Sequence, residues 1–198
     1  CGEDIYRDTY WPEAQRSFYD VKREFERLTC IPPEDINRMF SDKAFNTGRL
    51  AKHADDTRAV CDGVGVCDMA PYGSWDIMRN ISLLARFYSE VTGFTVTPQE
   101  FKRRGDRIWN MERLLNVREG FTRQDDAFPW LWVKNIEIPI KLRTRDFYLS
   151  DWLGNRLTKD DLERMLDDYY DEHGWDKETG IPTPEKLAEL GLQEFTPV

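Results

Sequence analysis

The spacing of apolar residues indicates helices along most of the chain. After the segment TPQE at 97–100, apolar side chains recur every three or four residues, at Ile108, Met111, Leu114 and Leu115. This repeat matches the helical period, so one stripe of the helix is expected to be buried. The threonine of TPQE can cap the helix, its proline suits the first turn, and its glutamate completes a capping box.

Two more segments downstream carry helix start signals. TKDD at 158–161 opens a helix whose apolar face consists of Leu162, Met165, Leu166 and Tyr169. TPEK at 183–186 opens another, in which Leu187 and Leu190 face inward and Gly191 supplies a left-handed stop. The same pattern predicts three helices upstream, over residues 31–40, 47–60 and 74–93.

One stretch alternates between apolar and polar residues as a strand does. This stretch, WLWVKNIEIPIKL, covers residues 130–142, and Pro139 within it would break the strand or confine it to a sheet edge. Residues 1–46 are aromatic and charged with weak periodicity, which is typical of loop and short helix. The chain is therefore predicted to be mostly α, with a helical domain over residues 47–198.

Composition narrows the classes of function. The chain has 198 residues, 13% of them aromatic, which favours a packed core over disorder. Its net charge of −9 is the opposite of a nucleic-acid-binding footprint, and no polybasic run would hold it on an anionic membrane. No apolar run approaches the ~20 residues that span a bilayer. Nucleic acid and membrane are therefore not expected as partners.

The cysteines and histidines do not form a familiar metal motif. The chain has four cysteines, none in a Cys-x-x-Cys pair, at Cys1, Cys30, Cys61 and Cys67. Four cysteines in a chain of this length do not make a disulfide scaffold, and the usual zinc spacing is missing. Of the two histidines, His53 is expected to be solvated or locally paired, and His173 is expected in a turn. A zinc site made wholly within this chain is not expected.

Two of those cysteines lie in the segment AVCDGVGVCDMAP at 59–71, between two predicted helices. Its glycines permit positive φ and close backbone approach, Asp62 can accept hydrogen bonds or face a cation, and Cys67 suits a soft metal. The alternative is a simple connection between helices whose cysteines are small core residues. The spacing of this segment alone leaves both interpretations open.

Three blocks of sequence together carry a family resemblance. The first is Asp62-x-x-Gly65-Val66-Cys67, and the second is IWNMERLLNVREGF at 108–121, followed by Asp125, Asp126 and Pro129. The third combines Tyr169-Tyr170, Gly174-Trp175-Asp176 and the tail at 182–192. In order and spacing, these blocks resemble the C-terminal region of the tungsten-containing aldehyde:ferredoxin oxidoreductase family. The resemblance covers roughly residues 47–192, within which 130–157 look like an insertion.

The resemblance implies a cofactor role for the first block. Asp62 would recognise the pterin of a tungsten (or molybdenum) bis-pterin cofactor, and Val66 would contribute backbone contacts to it. Cys67 would be the fourth ligand of a [4Fe–4S] cluster beside that pterin. A thiolate suits a cluster iron, and a carboxylate suits ring N–H donors. Cys61 stands where the family more often has an aliphatic residue, so we interpret it as a packing residue.

The resemblance also implies that this chain, which begins at Cys1 without an initiator Met, is a piece of a longer enzyme. In the family, the other three cluster cysteines and the domain that cradles the cofactor lie upstream. Residues 1–46 would then be an arm that packs on those N-terminal domains. No catalytic residue is assigned here.

The implied activity is cytoplasmic oxidation of an aldehyde to a carboxylic acid. Electrons would pass to ferredoxin or another electron-transfer protein, and the enzyme would act as a homodimer or within a larger complex. Two alternatives stay open: the active-site subunit or domain of a tungsten-dependent aromatic acyl-CoA reductase, and a non-enzymatic helical interaction module.

Overall fold

The computed structural model describes residues 22, 26, 32–41, 44–66, 81–142, 145–151 and 155–195. Most of these residues are helical, as predicted. The helices are α1 Pro33–Met39, α2 Thr47–Gly63, α3 Ile81–Thr92, α4 Pro98–Arg118, α5 Trp130–Glu137, α6 Lys159–His173 and α7 Pro184–Leu190. Two short antiparallel hairpins complete this part of the chain, β1 Phe40–Ser41 with β2 Ala44–Phe45, and β3 Ile140–Leu142 with β4 Arg145–Phe147.

The predicted start and stop signals are confirmed at the ends of three helices. Thr97 and Thr158 each accept a hydrogen bond from the third backbone amide of their helix and form complete capping boxes. Thr183 caps α7, and Gly191 ends it in the left-handed conformation. Helix α3 ends before Gly93, as predicted, while the expected first turns of that helix, at 74–80, lie outside the described residues. Local capping therefore decides where these helices begin and end.

Helix α2 is central and contacts both α4 and α6. It approaches each through a glycine, because a Cβ atom on Gly105 would overlap the carbonyl oxygen of Asp56, and one on Gly48 would overlap that of Met165. The two crossings therefore bring backbone directly against backbone. Only glycine allows this distance without a shift of one helix.

Apolar side chains form three clusters around these crossings. One joins α2, α3 and α4 through Val60, Cys61, Ile81, Leu84, Ala85, Val96 and Phe101. A second joins α4 to the tail through Leu114, Leu187, Leu190 and Leu192. A third, around α5 and α6, contains Ile136, Leu157 and Leu162. No helix within the described ranges is long and apolar enough to cross a membrane.

The strand predicted over 130–142 is wrong for most of its length. Trp130–Glu137 form α5, and only Ile140–Leu142 are extended. Val133 and Ile136 lie three residues apart and both pack on the third cluster, so burial selects the helical period. Pro139 separates α5 from the strand, and the amide of Asn135 ties the helix to the hairpin by donating to the Phe147 carbonyl at 2.7 Å.

Candidate functional site

The glycine-bearing turn after α2 closes this helix with a Schellman motif. Gly65 is left-handed, with φ of 73°. The amide of Val66 donates to the carbonyl oxygen of Cys61 at 2.9 Å, and the amide of Gly65 donates to that of Asp62 at 3.2 Å. These bonds satisfy carbonyl groups at the helix end. Among the described residues, no atom lies within 4 Å of a Cβ built on Gly65, so its requirement is conformational rather than steric.

Apolar side chains also hold this turn in place. Val64 and Val66 pack against the cluster that contains Cys61, which gives the motif its usual hydrophobic contact. A Cβ on Gly63 would lie 3.2 Å from Cδ1 of Ile108, so the last turn of α2 is close to α4. The direction in which the chain leaves α2 is therefore fixed by both backbone and side chains.

Asp62 lies at an electrostatically unfavourable place. It is exposed in the last turn of α2, where the helix dipole is negative and no basic residue is present. Within the described part of the chain, no hydrogen bond or ion pair of its carboxylate is found. An acid at a helix C-terminus costs stability unless it meets a donor, so Asp62 is a candidate for contact with a ligand.

The two cysteines of the segment have different surroundings. Cys61 is 1% exposed and belongs to the cluster between α2, α3 and α4, so its predicted role as a packing residue is confirmed. Cys67 lies outside the described residues, directly after Val66. Its assignment as a cluster ligand stays a prediction, as do those of Asp62 and Val66.

A buried ionic network lies where α2 crosses α4. The ammonium of Lys52 is 2.5 Å from the carboxylate of Asp56 and 3.5 Å from the carboxylate of Asp106. The ammonium of Lys186 is 2.7 Å from the same Asp106 carboxylate. Burial raises the pKa of Asp56 to about 6. We did not predict this network. The Lys52–Asp56 spacing of four residues was its only sequence signal, and such pairs usually lie on exposed helix faces.

His53 is part of a second network. The prediction that it is solvated or locally paired is wrong, because it is buried and its partners are 49 and 119 residues away in sequence. It is 6% exposed, its Nε2 is 3.2 Å from Oε1 of Glu172, and its Nδ1 contacts the ammonium of Lys102. Burial lowers the pKa of His53 to about 4 and that of Lys102 to about 8. A neutral ring therefore accepts from Lys102 and donates to Glu172.

The second network contains three potential metal ligands, Asp35, His53 and Glu172. Their ligand atoms lie within 4.8 Å of one another. Arg38 is 2.7 Å from the carboxylate of Asp35 and 2.9 Å from that of Glu172. With Lys102 on the imidazole, a divalent cation would have to displace two resident cations. The arrangement is therefore an ion-pair network rather than a metal site.

The acidic run around 166–176 forms ion pairs with a neighbouring helix. Arg49 of α2 contacts three of its carboxylates, those of Asp168 at 3.4 Å, Asp171 at 2.7 Å and Glu172 at 2.7 Å. Although burial acts in the opposite direction, hydrogen bonds from His53, Arg38 and Arg49 hold the pKa of Glu172 well below its usual range. This face of α6 is thus an interface with α2.

His173 is the last residue of α6 and is fully buried, so its prediction as a turn residue is wrong. Its ring stacks on Trp175 at 4.5 Å between centroids and meets Tyr169 edge-on at 4.4 Å. Burial lowers the pKa of His173 well below its ordinary value. Neither ring nitrogen has a hydrogen-bond partner in the described structure, and the nearest carboxylate oxygen, on Asp55, is 3.9 Å from Nε2.

The two downstream blocks that carry the family resemblance pack on each other. The indole of Trp109 donates to the hydroxyl of Tyr169 at 3.0 Å, and that of Trp175 donates to Asn110 at 2.8 Å. Arg113 donates to the carbonyl of Gly180 at 2.7 Å. The polar side chains of the α4 block therefore hold the tail in place.

The sequence of this chain is similar to those of known proteins. A family model described as aldehyde ferredoxin oxidoreductase, domains 2 and 3, matches residues 9–192. The tungsten-containing aldehyde ferredoxin oxidoreductase of Pyrococcus furiosus is 30% identical over 142 residues, which are 71% of this chain and 20% of the relative. The protein of the same name from Pyrococcus horikoshii is 30% identical over 145 residues, with the same coverage. The chain thus spans about a fifth of the length of these curated relatives.

A solved structure shares the fold. The active site complex BamBC of benzoyl coenzyme A reductase, in complex with 1,5-dienoyl-CoA, matches with a TM-score of 0.60 and 19% identity. The match covers 93% of this chain and 27% of the other. Because the family model matches nearly the whole chain, this protein belongs to the aldehyde ferredoxin oxidoreductase family.

Proposed function

We propose that this chain is the C-terminal part of a tungsten (or molybdenum) bis-pterin, iron–sulfur oxidoreductase that oxidises an aldehyde. An aldehyde and water would give a carboxylic acid, two protons and two electrons, and the electrons would leave through the cluster to ferredoxin or another electron-transfer protein. Family membership and the names of the curated relatives support this proposal. The cytoplasmic location, the ferredoxin partner and the assembly as a homodimer or larger complex are taken from the family resemblance.

The observation that carries the proposal is the exposed carboxylate of Asp62 on its Schellman turn. A carboxylate without a partner among the described residues fits the N–H donors of a pterin ring. Val66 already uses its amide on Cys61, which leaves its carbonyl oxygen as the backbone group available to a ligand. The acceptor groups of the turn therefore fit the N–H donors of the group that the family implies.

When bound, the metal centre and its cluster supply the redox chemistry and the path for electrons. The part of this chain is to bind and orient: Asp62 accepts hydrogen bonds from the pterin, and the thiolate of Cys67 ligates the cluster. The N-terminal domains of the same enzyme would bring the other three cluster ligands. We assign no residue of this chain to proton transfer.

A second candidate is the active-site part of a tungsten-dependent aromatic acyl-CoA reductase. The match to the benzoyl coenzyme A reductase complex over 93% of the chain favours it, although the likeness at 19% identity concerns the fold alone. Two assays of the intact protein distinguish these activities. One supplies aldehydes and an oxidised dye, and the other supplies aromatic acyl thioesters and a low-potential reductant. Absence of both activities from metal-loaded protein would favour the interaction module.

The experiment that tests the proposal begins with the intact protein produced with tungstate and iron supplied. We expect tungsten or molybdenum, iron and pterin in the purified protein. Asp62→Asn should lower the pterin content, because an amide is a weaker acceptor than a carboxylate and carries no charge. Asp160→Asn replaces another exposed helical aspartate, in the first turn of α6, and should leave the pterin content unchanged. Metal-free protein, or equal pterin content in both variants, would contradict the proposal.

A further inference from the structure

A groove of about 270 Å³ lies where α4 passes the end of α7. Its lining consists of Glu100, Arg103, Arg104, Arg107 and Leu190. The four charged residues are spaced as i, i+3, i+4 and i+7, so they share one face of α4. The chain as a whole carries a net charge of −9, so a concave site with three arginines runs against its overall charge.

The structure holds the three guanidinium groups without neutralising them. Arg103 donates to the carbonyl of Glu189, and Arg107 donates to that of Leu190 at 3.3 Å. Arg104 lies over the ring of Tyr88, 5.9 Å from its centroid. In the described part of the chain, none of the three is within 4 Å of a carboxylate oxygen. Each guanidinium group therefore keeps N–H donors that can bind another partner. The side chain that carries these donors is already held in position.

The one acid in the groove is turned toward its own helix. The carboxylate of Glu100 accepts hydrogen bonds from the amide and the hydroxyl of Thr97, both at 2.8 Å. This capping box occupies Glu100 and lowers its pKa, so it stays ionised at neutral pH. Three guanidinium groups against one carboxylate leave two net positive charges in the groove.

We propose that this groove is a binding site for a phosphate monoester group of a small metabolite or cofactor. Such a group carries about −1.5 to −2 charges at pH 7, which matches the two net positive charges of the groove. A single carboxylate would neutralise only one of these two charges. Arginine forks bind phosphate oxygens in pairs, and backbone carbonyl contacts hold two of the three forks, those of Arg103 and Arg107, in place. The groove is small and half-enclosed, so it fits one anionic group better than the broad face of an acidic protein.

The test is calorimetric titration of the intact protein, at its full natural length, with inorganic phosphate, pyrophosphate and malonate at low ionic strength. We expect both phosphate compounds to bind and malonate to bind more weakly. A phosphate ester that binds more tightly than inorganic phosphate would identify an ester, rather than the free ion, as the natural source. Since Arg103 and Arg107 also contact α7, Arg104→Gln is the informative variant. It should weaken pyrophosphate binding about tenfold through loss of one charge-assisted contact.

Arg118→Gln is the matched control, because this arginine lies on the same helix but is 71% exposed and, among the described residues, is paired only with Glu119. It should leave the dissociation constant unchanged. Absence of pyrophosphate binding to the wild type would overturn the proposal, and so would equal weakening by both variants. A third outcome is also decisive: if an acidic segment of the intact protein covers the groove, Arg104 will resist modification by phenylglyoxal, and the site is then an internal interface.

Discussion

Gly105 of α4 lies directly against the backbone carbonyl of Asp56 in α2, with no room for a Cβ atom between them. The contact sets the distance between the two longest described helices and places the buried Lys52 and Asp106 within reach of each other. We expect Gly105→Ala to destabilise the protein by about 1–3 kcal/mol or more, because a backbone neighbour cannot rotate away as a side chain can. Thermal unfolding followed by circular dichroism would measure this, at about 2–4 °C per kcal/mol.

The control for this prediction is Asn116→Ala, which places the same alanine side chain at an exposed position of the same helix. Alanine is the better helix former, so the control should unfold at an unchanged or slightly higher temperature. If Gly105→Ala unfolds at the wild-type temperature as well, α2 and α4 do not cross in backbone contact.

Arg113 is one of the buried polar links between α4 and the tail. It is buried, donates to the carbonyl of Gly180 at 2.7 Å and pairs with Asp126 at 2.7 Å. We expect Arg113→Lys to destabilise the protein by roughly 2–3 kcal/mol, because an ammonium cannot reproduce a planar fork that serves both partners. Arg118→Lys, at an exposed position, should cost less than about 0.5 kcal/mol. Chemical denaturation of both variants would measure the loss of unfolding free energy in each. Equal losses would show that Arg113 does not stabilise the contact between α4 and the tail.

The sequence predicts the helices well and the short elements poorly, for a physical reason. Helices α4, α6 and α7 carry their start signals in three or four neighbouring residues, so no distant contact is needed to place them. Helix α5 has eight residues, too few to separate the helical period from alternation. Its choice depends on the third apolar cluster, whose other members lie 20 or more residues downstream.

The polar interior was less predictable than the turn after α2. The glycine of the Asp62 turn could be explained from local backbone conformation alone. By contrast, His53 meets a carboxylate 119 residues away, on Glu172, and no local pattern indicates this pairing. Buried charges of this kind are determined by how helices cross, which periodicity does not specify.

The buried imidazole of His53 should make stability depend on pH. Its pKa is about 4 in the folded protein against an ordinary value of 6.5, so between these pH values only the unfolded chain takes up this proton. Stability should therefore fall as the pH drops from about 6.5 to about 4, by up to about 3 kcal/mol from this residue. His53→Gln removes this proton uptake, while its amide can still accept from Lys102 and donate to Glu172.

Urea denaturation of wild type and His53→Gln at several pH values would check this prediction. The difference in unfolding free energy should shift in favour of the variant as the pH falls through that window. His173, whose pKa is lowered chiefly by burial, is present in both proteins, so most of its contribution cancels in the comparison. A difference that does not change between pH 6.5 and pH 4 would show that His53 titrates normally in the folded state.

The two cysteines of the turn should separate cleanly in their effects on iron and on stability. Cys67→Ser is expected to remove or convert the [4Fe–4S] cluster of the intact protein, because a hydroxyl is a poor ligand for cluster iron, with little change in thermal unfolding of the helical domain. Cys61→Ala should retain iron, yet lower the free energy of unfolding by roughly 1–2 kcal/mol through a small cavity in the core. Iron analysis, electron paramagnetic resonance of the reduced protein and calorimetry would measure both effects. Loss of iron from Cys61→Ala with retention in Cys67→Ser would reverse the assignment, and loss from neither would show that neither cysteine of the turn is a cluster ligand.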